Sequence, residues 1–178
     1  MALFAGLFRR RRLPAADRPP LGRDERVAAF APAAGGHLVL TNLGIWLPQA
    51  PSRLGWHEIH KAAWSGRELS LVPAEVVAES AEYTVVADRA PWSSVLTDLG
   101  RVPEQVRTRV DRSVAYTAHH PLPGGGGVRV VARRVPGVDG VHWTVRYVRR
   151  DDAGSPEVAA ATAALVAAAR AGIAGATP

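Results

Sequence analysis

The chain has 178 residues, 47% of them hydrophobic, enough to fold around a full core rather than remain disordered. It has no cysteine, which excludes disulfides, thiol catalysis and thiolate metal sites and fits a reducing cytoplasm. The formal charge of +6 invites a polyanion-binding reading, but residues 1–26 carry seven arginines against Asp17, Asp24 and Glu25, a net +4, so the remainder holds only +2.

The opening "MALFAGLFRRRR" places its charges after the apolar run, the reverse of a secretory signal. Its apolar stretch falls far short of the ~20 residues that span a bilayer, and no later run is read as long enough. Residues 1–24 are therefore expected to be a basic, disordered leader, with Pro14, Pro19, Pro20 and Gly22 forming a linker. The alternative use is an amphipathic foot. In it Arg9, Arg10, Arg11 and Arg12 meet anionic lipid at the inner face of the membrane, each contributing about 1 kcal/mol. Arginine outnumbers lysine 21 to 1 beside abundant alanine, valine and glycine, the bias of GC-rich coding, so some arginines reflect codon supply.

The remainder reads as one domain over residues 25–172, with a tail at 173–178. "ERVAAFAP" (25–32) is a first strand ended by Pro32, and "AAGG" is a turn. "HLVLTNLGIWLP" (37–48) reads as one strand bent at Gly44. "GWHEIHKAAW" (55–64) and "RELSLVP" (67–73) form a hairpin across Ser65–Gly66. A strand is expected near 82–87 and a loop at "RAPWSSV". A helical insertion occupies about 95–120, where Val102, Val106, Val110 and Val114 make an apolar stripe. It runs into the extended "AYTAHHPL". "PGGGG" (123–127) is a turn. "VRVVARRV" (128–135) and "VHWTVRYV" (141–148) alternate as paired strands with one face buried. Ser155, Pro156 and Glu157 start a terminal helix that stops near Gly172, with Val158, Ala161, Leu165 and Ala168 or Ala169 buried. The fold class is α+β: a small, strongly bent antiparallel sheet or partial barrel, a helical insertion and a capping C-terminal helix.

"GGHLVLTNLGIWL" and "LGWHEIHKAAW" together resemble bacterial members of the pleckstrin-homology-like superfamily, including the GRAM type. Gly36, Leu40, Thr41, Asn42 and Gly44 carry the first element of the likeness, Trp56 and Ile59 the second. The resemblance covers residues 26–73, and the later strands and helix follow it by architecture; the layout is also similar to that of actinobacterial proteins. It implies a barrel-like binding module. Phosphoinositide-binding members carry basic residues at the first turn, but "APAAGG" has none.

The residues with chemical potential point away from an enzyme. His57 and His60 are three apart, not at the i, i+4 spacing of a zinc helix, and strand alternation would put them on opposite faces. His119 and His120 are adjacent and diverge, and His142 stands alone. "GGGG" lacks the Lys-Ser/Thr of a phosphate loop. No nucleophile elbow, carboxylate pair, cofactor motif or metal set is legible. Of Trp46, Trp56, Trp64, Trp92 and Trp143, only Trp92 falls in a loop, where it could stack. Arg129, Arg133, Arg134, Arg146, Arg149 and Arg150 form a basic stripe. The expectation is a non-enzymatic, cytoplasmic binding or scaffold module for a protein partner. Membrane association comes second and nucleic-acid binding third; no small-molecule substrate is indicated.

Overall fold

The structure is a computed structural model that describes residues 12–174. A small antiparallel sheet comes first, in the order β1 (Val27–Ala33), β2 (Gly36–Thr41), β3 (Gly44–Trp46), β4 (Leu54–Gly55). The stretch expected as one bent strand over 37–48 is thus a hairpin, with Val39 opposite Trp46 and Leu40 opposite Ile45. The side chains at its turn explain the reversal. Thr41 Oγ1 accepts the N–H groups of Leu43 and Gly44, both at 3.1 Å, which substitutes for strand pairing just where the chain must turn. Asn42 accepts the Arg26 N–H at 2.6 Å and donates to the Asp24 carbonyl at 3.1 Å, fixing the turn to the entry of β1. At Gly44 there is no room for a Cβ, which would overlap the Leu54 carbonyl oxygen on β4.

Beneath this turn lies a buried carboxylate, Glu25. Its Oε1 accepts the Thr41 hydroxyl at 2.6 Å and the Trp46 indole N–H at 2.9 Å. Its Oε2 accepts Arg53 at 2.8 Å and the Gly22 N–H at 3.2 Å. Burial alone would raise its pKa, but the hydrogen bonds from Thr41, Trp46 and Gly22 and the Arg53 charge outweigh it and hold the carboxyl below its ordinary value. The leader expected to be disordered through residue 24 is already attached before that point. Ala15–Asp17 form a 3₁₀ turn, and Asp17 Oδ2 meets His37 Nδ1 at 2.9 Å.

The larger sheet runs β5 (Ile59–Ser65), β6 (Glu68–Glu79), β7 (Thr84–Asp88), β11 (His142–Tyr147), β10 (Gly127–Arg133), β9 (Val114–Pro121). It curls strongly into a half-barrel. Every pairing is antiparallel except β7 with β11, so the sheet is mixed. The stretch expected as the "RAPWSSV" loop contains β8 (Trp92–Val95), paired to β6 at Glu68–Leu71. The insertion is shorter than 95–120: α1 covers Val102–Ser113, and residues 114–121 alternate faces as β9. α1 is anchored by Ser113, whose carbonyl accepts the Arg134 N–H at 2.7 Å and whose hydroxyl accepts the buried Arg133 at 2.8 Å.

Two cores result. One packs Leu38, Leu40, Ile45, Trp56, Ile59, Leu69 and Leu71 under Val102 and Val106 of α1. The other packs Val85, Val128, Val130, Trp143 and Val145 under the C-terminal helix α2 (Pro156–Ala174). α2 continues past Gly172 and buries Val158, Thr162, Val166 and Ala169 rather than Ala161 and Leu165. The Tyr147 hydroxyl bonds Thr162 Oγ1 at 3.1 Å and sets that rotation of the helix. β6 belongs to both halves: its start faces β5 and β8, its end pairs with β7.

Replacing Glu25 with Gln removes the charge that Arg53, Thr41 and Trp46 converge on. The variant is expected to lose roughly 2 kcal/mol in urea unfolding. A carboxyl held below its ordinary value stabilises the fold above the unfolded pKa and stops doing so as pH falls through the folded one. Unfolding midpoints taken below about pH 4.5, the ordinary value of this group, should therefore fall more steeply for the wild type than for Glu25→Gln.

Candidate binding cleft

β7 and β11 run parallel for only two residue pairs, Thr84 with Thr144 and Val85 with Val145. A bulge in β6 lies opposite that point: Val76 faces Val86 and Ala78 faces Val85, leaving Val77 as the extra residue. A bulge bends its strand and sharpens the local twist at this point of the sheet. Beyond Val85 and Val145 the ladder between the two strands ends, and a cleft of about 910 Å³ opens there and extends over β10 and β9. Glu75, Val77, Val86 and Asp88 line one side; Arg129, Arg146, Val148 and His119 line the other. Val77 is 49% and Val148 68% exposed, so both rims are apolar.

One ion pair crosses the opening. Asp88 Oδ1 on β7 accepts Arg146 of β11 at 2.5 Å and also lies 2.7 Å from His60 Nδ1 of β5. Burial would raise the Asp88 pKa, but the hydrogen bonds from His60 and Arg146 and their charges hold it low. Burial pushes the His60 pKa down more strongly than Asp88 pulls it up. On the far side, Arg129 sits directly opposite Arg146 on one neighbouring strand and opposite His119 on the other. Like charges facing each other across a sheet destabilise it. Asp88 compensates Arg146, whereas Arg129 is exposed and has no ion-pair or hydrogen-bond partner among the described residues.

The remaining expectations fall elsewhere in the fold. Residues Trp56–Glu58 form a 3₁₀ turn, closed by the Gly55 N–H bonding Glu58 at 2.5 Å, so strand alternation does not govern "WHEIH". Trp56 and Ile59 therefore share one core instead of opposite faces. The Trp56 indole donates to the Thr41 carbonyl at 3.1 Å, and Arg109 lies over its ring at 5.8 Å. Gly36, Thr41, Asn42, Gly44, Trp56 and Ile59 are thus a structural set around the first hairpin. His57 Nδ1 is buried without a partner, and burial, His142, Arg133 and Arg53 lower its pKa against the opposing effect of Glu58. His142 meets Thr84 Oγ1 at 3.0 Å. His119 enters the cleft while His120, its Nε2 buried and unpartnered, points to the other face. The histidines do not converge, and among the described residues no three metal-ligating side chains cluster.

The basic stripe is mostly spent internally. Arg133 bonds Ser113, Arg134 bonds the Arg112 and Val114 carbonyls, and Arg149 pairs with Asp152 at 3.1 Å. The Arg150 side chain lies outside what is described, as do Arg9, Arg10 and Arg11. Trp92 is half-buried on β8 and packs against the first core. Asp88, Val77 and Glu75 were not singled out from the sequence: nothing local announces that β7 and β11, far apart in the chain, become neighbours. Compared with known proteins, the chain matches no family model, no curated protein and no solved structure. Among the described residues one helix, α2, is long and apolar enough to cross a membrane by length and composition, contrary to the reading of the sequence; its buried stripe packs on the sheet.

The uncompensated Arg129 makes a test of the cleft's energetics. Arg129→Thr removes a like-charge neighbour and supplies a strand-favouring residue, so it should stabilise the protein by about 0.2–1 kcal/mol in urea unfolding, more at low salt.

Proposed function

We propose that this protein is a non-enzymatic binding or scaffold module of the pleckstrin-homology-like type, and that its ligand is a protein partner. The curled half-barrel with its C-terminal helix is compatible with that fold. The observation that carries the reading is the cleft between β7 and β11, where exposed valines flank a cation kept at a cost in stability. Exposed apolar rims beside an unpaired arginine are the composition of a recognition surface, since arginine and apolar anchors dominate binding energy. Around them, polar groups hold strands together: His60 and Arg146 through Asp88, His142 through Thr84.

Site-specific photo-crosslinkers at Val77, at Val148 and, as a control, at Ala168 on the exposed side of α2 test this. The expected outcome is one cross-linked protein from both cleft positions but not from Ala168, which then forms a defined complex when purified and mixed with the full chain. A complex that cross-links only through Ala168, or no reconstituted complex, would reject the reading.

A second reading, peripheral membrane association, has its own observation. A shallow hollow at the start of the described chain gathers Arg12 and Arg18 with Leu13, Val27 and Phe30. Cations beside apolar side chains, with Arg9, Arg10 and Arg11 preceding them in the sequence, suit an anionic lipid surface. Flotation with phosphatidylglycerol vesicles should then bring the full chain up at low salt, but not a chain that lacks residues 1–11 and carries Arg12→Glu and Arg18→Glu. Equal flotation of the two chains would refute the membrane role.

A further inference from the structure

We infer that the occupant of the β7–β11 cleft is an extended peptide segment of another protein, placed with an acidic side chain against Arg129 and His119. This rests on the protein-partner reading above and specifies its chemistry.

Three features select that occupant. The first is charge. Within the cleft Asp88 already neutralises Arg146, and Glu75 adds another carboxylate on the β6 side. Arg129 is left as the one uncompensated cation among the described lining residues, with exposed His119 beside it. With Asp88 committed to Arg146, Arg129 is one cation in a cleft that holds one further carboxylate, Glu75; it offers a contact to one anionic group and no row of cations to a string of phosphates. Nucleic acid, which binds by neutralising many phosphates at once, fits poorly.

The second feature is the backbone. Past Val85 and Val145, the sides of β7 and β11 that face each other have no ladder partner. Their N–H and C=O groups toward the cleft need hydrogen-bonding partners, and an extended peptide supplies alternating donors and acceptors for such edges. A lipid headgroup offers acceptors almost alone. Carboxyl ends of parallel strands that part company also recur as ligand crevices in open sheets.

The third feature is the rim. Val77 and Val148, exposed on opposite sides, can take apolar side chains flanking the acidic one. A volume of about 910 Å³ accommodates a few residues rather than a whole domain.

The test uses the full chain and pools of short random peptides, acetylated and amidated, with Glu, Gln or Lys fixed at one position. Binding is read by fluorescence anisotropy and located by amide chemical shifts. The Glu pool should bind at least about tenfold tighter than the Gln or Lys pool. It should shift amides at Val86–Asp88, Gly127–Arg129 and Arg146–Val148. Arg129→Glu should reverse the order so that the Lys pool binds best, while Arg107→Glu on the exposed face of α1 changes nothing. That reversal cannot come from loss of folding, and Arg129→Gln should merely level the pools. Pools that bind alike, or an order unmoved by Arg129→Glu, would overturn the inference. So would displacement of the Glu pool from the cleft by phosphatidylglycerol vesicles or a single-stranded oligonucleotide, which would reassign the site to lipid or nucleic acid. The two readings fail separately: a reconstituted complex that survives Arg129→Glu keeps the protein partner and discards the acidic contact.

Discussion

Two residue pairs, Thr84 with Thr144 and Val85 with Val145, are the only described ladder between the two meanders of the large sheet. On one side lie β5, β6 and β7, tied to the first hairpins and α1 through the first core. On the other lie β11, β10 and β9, backed by α2. So short a parallel contact holds because Val85 and Val145 are buried beneath α2 and because Asp88 reaches across to Arg146 just beyond it. Apolar burial supplies the attraction and the ion pair fixes the separation. Everything proposed about binding follows from the strands being joined at one end and apart at the other.

The carboxylate that closes this gap is itself assembled from three strands. His60 arrives on β5 through a bulge between Ile59 and Lys61, Asp88 ends β7, and Arg146 lies within β11. Each partner supports the charged form of Asp88, which keeps it ionised and committed. That commitment is why Arg129, one strand further on, has nothing to answer it. The sheet therefore tolerates adjacent arginines, an arrangement a purely structural sequence would avoid. A similar economy operates at the other end of the molecule. There Glu25 is satisfied by four donors and fixes the turn at Thr41–Gly44.

The histidine-rich stretch 57–60 shows how local reading can reach a sound residue for an unsound reason. Period-two alternation separates Trp56 from Ile59, yet both are core. Glu58 folds its carboxylate back onto the Gly55 N–H, and a 3₁₀ turn replaces the strand for three residues. A glutamate two residues after a Gly-Trp step was the available signal, but it competes with the strong β-forming residues that follow. Likewise Thr41 and Asn42 looked like part of a strand because their neighbours are apolar. Their side chains instead satisfy backbone groups and turn the chain, as short polar side chains do.

The sequence by itself determined the α+β class, the two helices, the terminal helix cap at Ser155, and most strands, because periodicity and capping act over a few residues. It also marked Arg129 and Arg146 as part of a basic face, since alternation in β10 and β11 is regular. Only the tertiary structure decided which of those arginines is free. That depends on Asp88, which lies 58 residues from Arg146 in the chain and meets it through a parallel contact that no local pattern encodes. The cleft has the same origin. The Val77 bulge, the short β7–β11 ladder and the divergence beyond it are consequences of how distant strands twist against each other, and twist is settled by the whole sheet rather than by any one segment.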